Sequence, residues 1–322
     1  MRILLTGVSG FAGAALLPRL LEQGHEVRAL ARDRERVRLA LGHTGAASIE
    51  DVELAIGDTV TGEGVAVAMR GVEVAYYLIH SMEPAAAEAG ALGEGAAFPV
   101  REHASADTFG RLARAAGVRR IVYLGGLLPQ RRRPSTHLAS RHAVERALLD
   151  AVPDSVALRA SIAIGARSRS FRFLVRLVER MPVLALPAWR NHRTQPIDER
   201  DVVEMLAACA HNEAVAGRTL DIGGPDVLRY GEMVQRIADL LLLGRPCVGL
   251  PLQATPLAAR LAAAIADERY ELVLPLMEAL TGDLLAADDR AQQLLDVELH
   301  SFDSAVEHAL WEWERVQPLA AR

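Results

Sequence analysis

No lysine occurs in the 322-residue sequence; its 36 basic residues are all arginine. That absence excludes every mechanism needing a lysine amine: a Schiff base, a pyridoxal-phosphate anchor, a P-loop lysine or a tyrosine–lysine catalytic pair. Cysteine is nearly as scarce. Cys209 and Cys247 stand far apart without a partner motif, which speaks for a reduced compartment and against a disulfide framework or zinc site. No H-E-x-x-H or tight carboxylate group suggests another metal. No uncharged apolar run reaches about 18 residues, so no transmembrane helix is expected. Positive charge is in slight deficit, 41 acidic against 36 basic residues for a net −5, and a nucleic-acid partner is not expected. The stretch from Met1 to Leu17 has the apolar look of a signal peptide, but its regularly spaced glycines mark folded structure, and a cytoplasmic chain is expected.

What is present alternates short apolar runs with helical stretches, the pattern of a parallel sheet covered by helices. Strands are expected at Arg2–Thr6, Glu26–Ala31, Val52–Ile56, Val74–Ile79, Arg120–Leu124 and Val156–Arg159. Each is a continuous apolar run rather than an alternating one, as suits strands buried on both faces. Helical periodicity covers Phe11–Gln23, Ala104–Ala116 and His137–Leu149, with Gly24 and Gly117 placed as left-handed C-caps. Pro18 should cost the first helix a hydrogen bond. Ser170–Arg180, Arg200–His211 and Val306–Glu314 look helical, and Thr219–Ile222 looks like a strand. Pro84–Pro99 offers little to bury and is expected to be a flexible loop or lid; Arg131–Arg133 is expected to lie in a solvated loop.

The glycine spacing carries the first chemistry. Thr6-Gly7-Val8-Ser9-Gly10-Phe11-Ala12-Gly13 joins the first strand to the first helix. Gly7 permits the tight turn, Gly10 lets backbone N–H groups approach a pyrophosphate, and Gly13 allows helix to pack closely on strand. A dinucleotide is the expected ligand, with Val8, Ser9 and Phe11 completing the loop. The second strand ends Ala31-Arg32-Asp33-Arg34, where a carboxylate would favour the ribose hydroxyls of NAD. Arg32, with Arg34 behind it, instead suits a 2′-phosphate, so NADP(H) is expected over NAD(H); Asp33 is the residue that fits this least. Asp58, after the third strand, is placed for the adenine edge or for capping its own turn. His80 and Ser81 follow the fourth strand at the carboxyl edge of the sheet, to touch ribose or substrate or to cap the next helix.

These segments resemble the short-chain dehydrogenase/reductase superfamily in its extended and atypical, NmrA-like branches, over nearly the whole length. TGVSGFAG is similar to the superfamily's nucleotide loop, Gly57-Asp58 to its adenine-side motif, and Leu158-Arg159 with Ile164-Gly165 to its sixth strand and following turn. Gln195-Pro196-Ile197-Asp198 with Asp201-Val202 resembles the segment closing the substrate side. Tyr76–Met82, Arg120–Leu127 and Asp221–Pro225 resemble a bacterial subgroup of NAD(P)-binding proteins. The resemblance implies a Rossmann-type, doubly wound α/β fold: residues 1–160 as the NAD(P)-binding part and 161–322 as a smaller, mostly helical substrate lobe, partly interleaved with it.

The departures from that pattern bear on catalysis. The superfamily's enzymes use a Ser or Thr after the fifth strand and Tyr-x-x-x-Lys on the next helix. Here Gly125-Gly126-Leu127-Leu128 offers no hydroxyl, and His137-Leu138-Ala139-Ser140-Arg141 stands at the Tyr-x-x-x-Lys position, with Glu145 supporting the register. His137 and Arg141 lie one turn apart on one face. Three readings stay open: His137 is a substitute acid with Arg141 as ribose anchor; the site binds a dinucleotide without chemistry; or both are ordinary surface residues. Arg141 does not deprotonate and cannot relay a proton. Met82 and Leu127 suit an apolar pocket, and the apolar C-terminal half suits a hydrophobic substrate cavity or an oligomer surface. Trp311 and Trp313 are expected to pack the terminal helix. The expectation is therefore an NADPH-dependent oxidoreductase on a small apolar carbonyl or enone, the alternative being a non-catalytic NADP(H) sensor or redox-complex scaffold. A homo-oligomer or a protein partner remains open.

Overall fold

The fold is set by the carboxyl and amino ends of seven parallel strands. In this computed structural model, residues 1–42, 48–79, 98–250 and 255–317 are described. The first elements are β1 (Arg2–Thr6), α1 (Phe11–Glu22), β2 (Glu26–Ala31), α2 (Arg34–Gly42), β3 (Glu53–Ile56), α3 (Val65–Ala68) and β4 (Val74–Tyr77). There follow α4 (Phe98–Ala115), β5 (Arg120–Gly126), α5 (Thr136–Ala151) and β6 (Val156–Ala160). The remainder runs β7 (Ala163–Ile164), α6 (Arg169–Arg180), β8 (Leu184–Leu186), β9 (Arg193–Thr194), β10 (Ile197–Asp198) and α7 (Glu199–Ala208). Next come β11 (Thr219–Ile222), β12 (Leu228–Arg229), α8 (Tyr230–Leu240), β13 (Cys247–Gly249), α9 (Thr255–Ala266), α10 (Tyr270–Ala279), α11 (Arg290–Leu295) and α12 (Phe302–Val316).

The main sheet has the order β11-β6-β5-β4-β1-β2-β3, and every pairing in it is parallel. Strand order reverses between β1 and β4, the switch point where open α/β sheets place ligands. The continuous apolar runs are buried on both faces, as in Ile3–Thr6 and Val74–Tyr77. One face packs α1, α7 and α11 through residues such as Leu17, Leu206 and Leu295; the other packs α4 and α5 through Phe109 and Leu148. This is the doubly wound α/β architecture expected from the sequence.

The C-terminal helices form a second cluster around Phe171, Tyr230, Met233, Phe302 and Trp313. Three separate two-stranded sheets accompany it: β7 pairs with β10, β9 with β12 and β8 with β13. Asp201 on α7 is almost fully buried and accepts from the His300 backbone N–H at 2.9 Å, with its other oxygen 2.6 Å from His300 Nδ1. That contact ties the lead-in of α12 to α7.

Several expectations are met or corrected. Pro18 lies inside α1, as expected, and the helix continues past it to Glu22. α4 starts six residues before Ala104, at Phe98; Pro99 fits there because the first helical residues have no intrahelical use for their N–H groups. Arg131 and Arg133 are exposed in a loop as expected, whereas Arg132 is half-buried and its Nη1 donates to the Thr281 hydroxyl. Trp313 is buried, but Trp311 is 56% exposed, with Arg315 lying over its ring. The lid expected at Pro84–Pro99 lies outside the described residues up to position 97, as do His80, Ser81 and Met82.

Candidate functional site

Thr6 closes β1 with a side chain turned sideways across the switch point. Its hydroxyl donates to the Tyr76 carbonyl at 2.9 Å and accepts from the Leu78 N–H at 3.1 Å, locking the ends of β1 and β4 together. The chain then turns at Gly7, whose φ of 70° lies in the left-handed region. A Cβ on Gly7 would fall 2.6 Å from the Leu78 carbonyl oxygen, and one on Gly13 would fall 2.3 Å from the Gly7 carbonyl oxygen. Both glycines are therefore required by space. Val8 is fully buried beneath the loop, and Ser9 and Gly10 are exposed above it. Gly10 caps α1 with no side chain, so the N–H groups of the first turn at Phe11 remain available to an anion. The cradle fits a dinucleotide pyrophosphate, with the glycine loop and the start of α1 holding it.

At the end of β2, Arg32 and Arg34 are exposed. Asp33, the residue that fitted an NADP site least, is committed elsewhere. Its Oδ1 accepts from the backbone N–H groups of Glu35 at 2.8 Å and Arg36 at 3.2 Å, capping α2. Asp58 likewise caps its own turn, accepting from Val60 N–H at 2.6 Å and Thr61 N–H at 3.3 Å.

The start of α5 brings His137 and Arg141 to the carboxyl side of β5. Ser135 caps the helix, its hydroxyl accepting from Leu138 N–H. Both His137 and Arg141 are half-buried. The Arg141 guanidinium donates to the Leu124 carbonyl and lies 5.4 Å from the Tyr123 ring centroid. Glu102 of α4 stands in the same group. It accepts from the Ser140 hydroxyl at 2.7 Å; burial raises its carboxyl, and Arg141 and His137 pull it back down. No sequence signal marks Glu102, because α4 and α5 meet only in the fold. Tyr123, the tyrosine beside this group, is buried with its hydroxyl donating to the Arg141 carbonyl at 3.2 Å, and burial pushes that hydroxyl up to about 12.

Two further features border the group. Leu127, Leu138 and Leu284 form a small buried apolar cluster, with Leu128 against it. Glu145, almost fully buried on α5, takes a bidentate pair of bonds from Arg159 of β6 at 2.8 and 2.7 Å, fixing helix to sheet. Among the described residues no group of three or more His, Cys, Asp or Glu side chains could hold a metal ion. Nor is any described helix long and apolar enough to cross a membrane. A 390 Å³ cleft lined by Arg2, His25 and Glu53 opens at the amino ends of β1–β3, opposite the glycine loop.

Residues 7–161 match the family described as NAD(P)H-binding. The chain is 26% identical over 194 residues to the Arabidopsis thaliana protein named NADH dehydrogenase [ubiquinone] 1 alpha subcomplex subunit 9, mitochondrial. That match covers 57% of this chain and 47% of the relative, so the chain spans less than half of its length. A nucleoside-diphosphate-sugar epimerase from Staphylococcus aureus superimposes with a TM-score of 0.73 at 16% identity, over 95% of this chain and 100% of that one. The Citrobacter sp. triphenylmethane reductase, solved with NADP(H), superimposes with a TM-score of 0.71 at 18% identity, over 96% and 100% of the two chains. Residues 7–161, just under half of the chain, thus match the NAD(P)H-binding family, and the chain as a whole shares its fold with the epimerase and the reductase.

Proposed function

We propose that the protein is a cytoplasmic, NADPH-dependent reductase of a small apolar carbonyl or enone. The observation that carries this reading is the grouping of His137, Ser140 and Arg141 on α5 with Glu102 on α4. The bound dinucleotide would supply a hydride. His137 then delivers a proton to the substrate oxygen as charge develops there, a role that suits an imidazole near neutral pH. Glu102 and Arg141 fix the electrostatic surroundings of that imidazole. Leu127, Leu138 and Leu284 offer an apolar wall beside it, which favours a substrate without charge. Arg32 supports NADPH over NADH, because Asp33 is turned into the α2 cap and does not oppose a 2′-phosphate.

The test is steady-state NADPH oxidation with a panel of quinones, enones and aldehydes, comparing wild type with His137→Ala. Loss of about a hundredfold or more in turnover supports His137 as acid. Unchanged turnover removes it from the mechanism.

A second reading is favoured by one specific observation. Arg141 is already committed to the Leu124 carbonyl and the Tyr123 ring, which leaves less of it for a nicotinamide ribose. On this reading the chain holds NADP(H) without turning it over and serves as a sensor or as a scaffold in a redox complex; the name of the Arabidopsis relative is in keeping with the latter. Tight NADP+ binding with no turnover on any of the panel substrates favours this second reading.

A further inference from the structure

Gly165, between β7 and α6, is a meeting point of three elements. A Cβ there would fall 2.1 Å from Glu199 Oε2 and 2.8 Å from Phe11 Cε2. The carboxyl at the first residue of α7 therefore rests against bare backbone, beside the ring of the first residue of α1. The Glu199 side chain makes no hydrogen bond or close ion pair with any described residue; the residue is half-buried, and desolvation pushes its carboxyl up to about 8. Glu312 on α12 and Asp198 at the α7 cap push in the same direction, while Arg167 opposes them. The carboxyl thus keeps its proton to a higher pH than an ordinary glutamate does.

Arg167, two residues past Gly165, complements it. Its Nη1 is buried without a hydrogen-bond partner, and the charge it feels is that of Glu199. A buried guanidinium nitrogen left unpaired is costly, and a ligand oxygen is one way to offset that cost. The glycine-capped start of α1 already presents unpaired N–H groups in the same neighbourhood, with the helix dipole favouring an anion.

We propose that Arg167 and Glu199 reach the dinucleotide pyrophosphate from the C-terminal part of the chain, the guanidinium pairing with one phosphate oxygen and the Glu199 side chain facing another. The inference rests on the NAD(P)H-binding assignment of residues 7–161 but not on catalysis. It has a consequence of definite sign. Ionised, Glu199 would oppose the pyrophosphate; protonated, it assists. Affinity should therefore fall as pH rises through the range where Glu199 loses its proton.

The experiment is calorimetric titration of NADH and of ADP-ribose, ligands without a 2′-phosphate, from about pH 7 to about pH 9.5. Wild-type Kd is expected to rise about tenfold or more across that range. Glu199→Gln keeps a donor but cannot ionise, so its Kd should stay flat. Arg167→Met should weaken both ligands about tenfold to a hundredfold at the low-pH end. It should also move any pH-dependent loss upward, because the carboxyl has lost its nearby cation. Thermal melts check folding, with Arg167→Gln as a second variant. Equal affinities and equal pH profiles in wild type and variants overturn the inference while leaving dinucleotide binding intact. Failure of the wild type to bind either ligand at any pH overturns the dinucleotide assignment with it.

Discussion

Arg141 and Tyr123 hold each other from both ends. The guanidinium lies 5.4 Å from the ring centroid while the Tyr123 hydroxyl donates to the Arg141 carbonyl at 3.2 Å. The Arg141 side chain is thus a strut between α5 and β5. An ammonium would reproduce the charge but neither the planar stacking nor the fork that reaches Leu124. Arg141→Lys is expected to destabilise the fold by about 1–2 kcal/mol and to restore no tyrosine-type chemistry, since no tyrosine stands at position 137. Chemical denaturation and NADPH turnover of the variant check the two halves of that statement.

Gly13→Ala should be far more damaging than an ordinary helical glycine replacement. Helix propensity alone would favour alanine by up to about 1 kcal/mol. The new Cβ, however, would fall 2.3 Å from the Gly7 carbonyl oxygen, a backbone atom that cannot move without opening the loop. A net loss of about 1–3 kcal/mol is expected, together with loss of NADH and NADPH binding alike. A thermal melt and a fluorescence titration measure both; retained affinity would show that the loop does not hold the dinucleotide.

Arg32→Ala separates the two cofactors. With Asp33 occupied by the α2 cap, Arg32 and Arg34 are exposed charges at the end of β2, and the proposed NADPH preference assigns the 2′-phosphate to Arg32. The variant is expected to lose about tenfold to a hundredfold in NADPH affinity while NADH affinity holds. Equal loss for both would assign Arg32 to the fold and not to the phosphate.

Much of this was legible before the fold was known, and the reason is physical. Strands buried on both faces are mostly apolar, so Arg2–Thr6 and Glu26–Ala31 stand out in the sequence with the bounds the structure gives them, and the alternating edge strand Thr219–Ile222 stands out before its Gly223-Gly224-Pro225 turn. The glycine loop was legible because Gly7 and Gly13 answer local spatial demands. The pairs Ala163–Ile164 with Ile197–Asp198, or Leu184–Leu186 with Cys247–Gly249, were not: runs of two or three residues have no periodicity to detect. Nor were Glu102 beside Ser140 or Glu199 against Gly165, since each contact joins residues more than thirty apart in sequence. Arg131 and Arg133 are exposed in a loop as expected, but the contact of Arg132 with Thr281 was hidden for the same reason, because Thr281 is distant in sequence and near only in the fold.

Glu199→Gln makes the burial of that carboxyl measurable as stability in the protein without ligand. In the folded chain the group is raised from its ordinary 4.5 to about 8. Between those values the unfolded chain releases a proton that the folded chain keeps, so the folded state binds more protons and stability must fall as pH rises. Below the window both states are protonated and nothing is lost; above it the penalty is complete and constant. Glutamine has no such slope. Wild type and Glu199→Gln are therefore expected to melt together near about pH 4 and to separate steadily toward about pH 8, with the glutamine variant higher by a few degrees. Melting curves taken at half-unit steps of pH check the sign directly. A variant that melts lower than wild type at the alkaline end would mean that the ionised carboxylate, paired with Arg167, is the form the fold prefers.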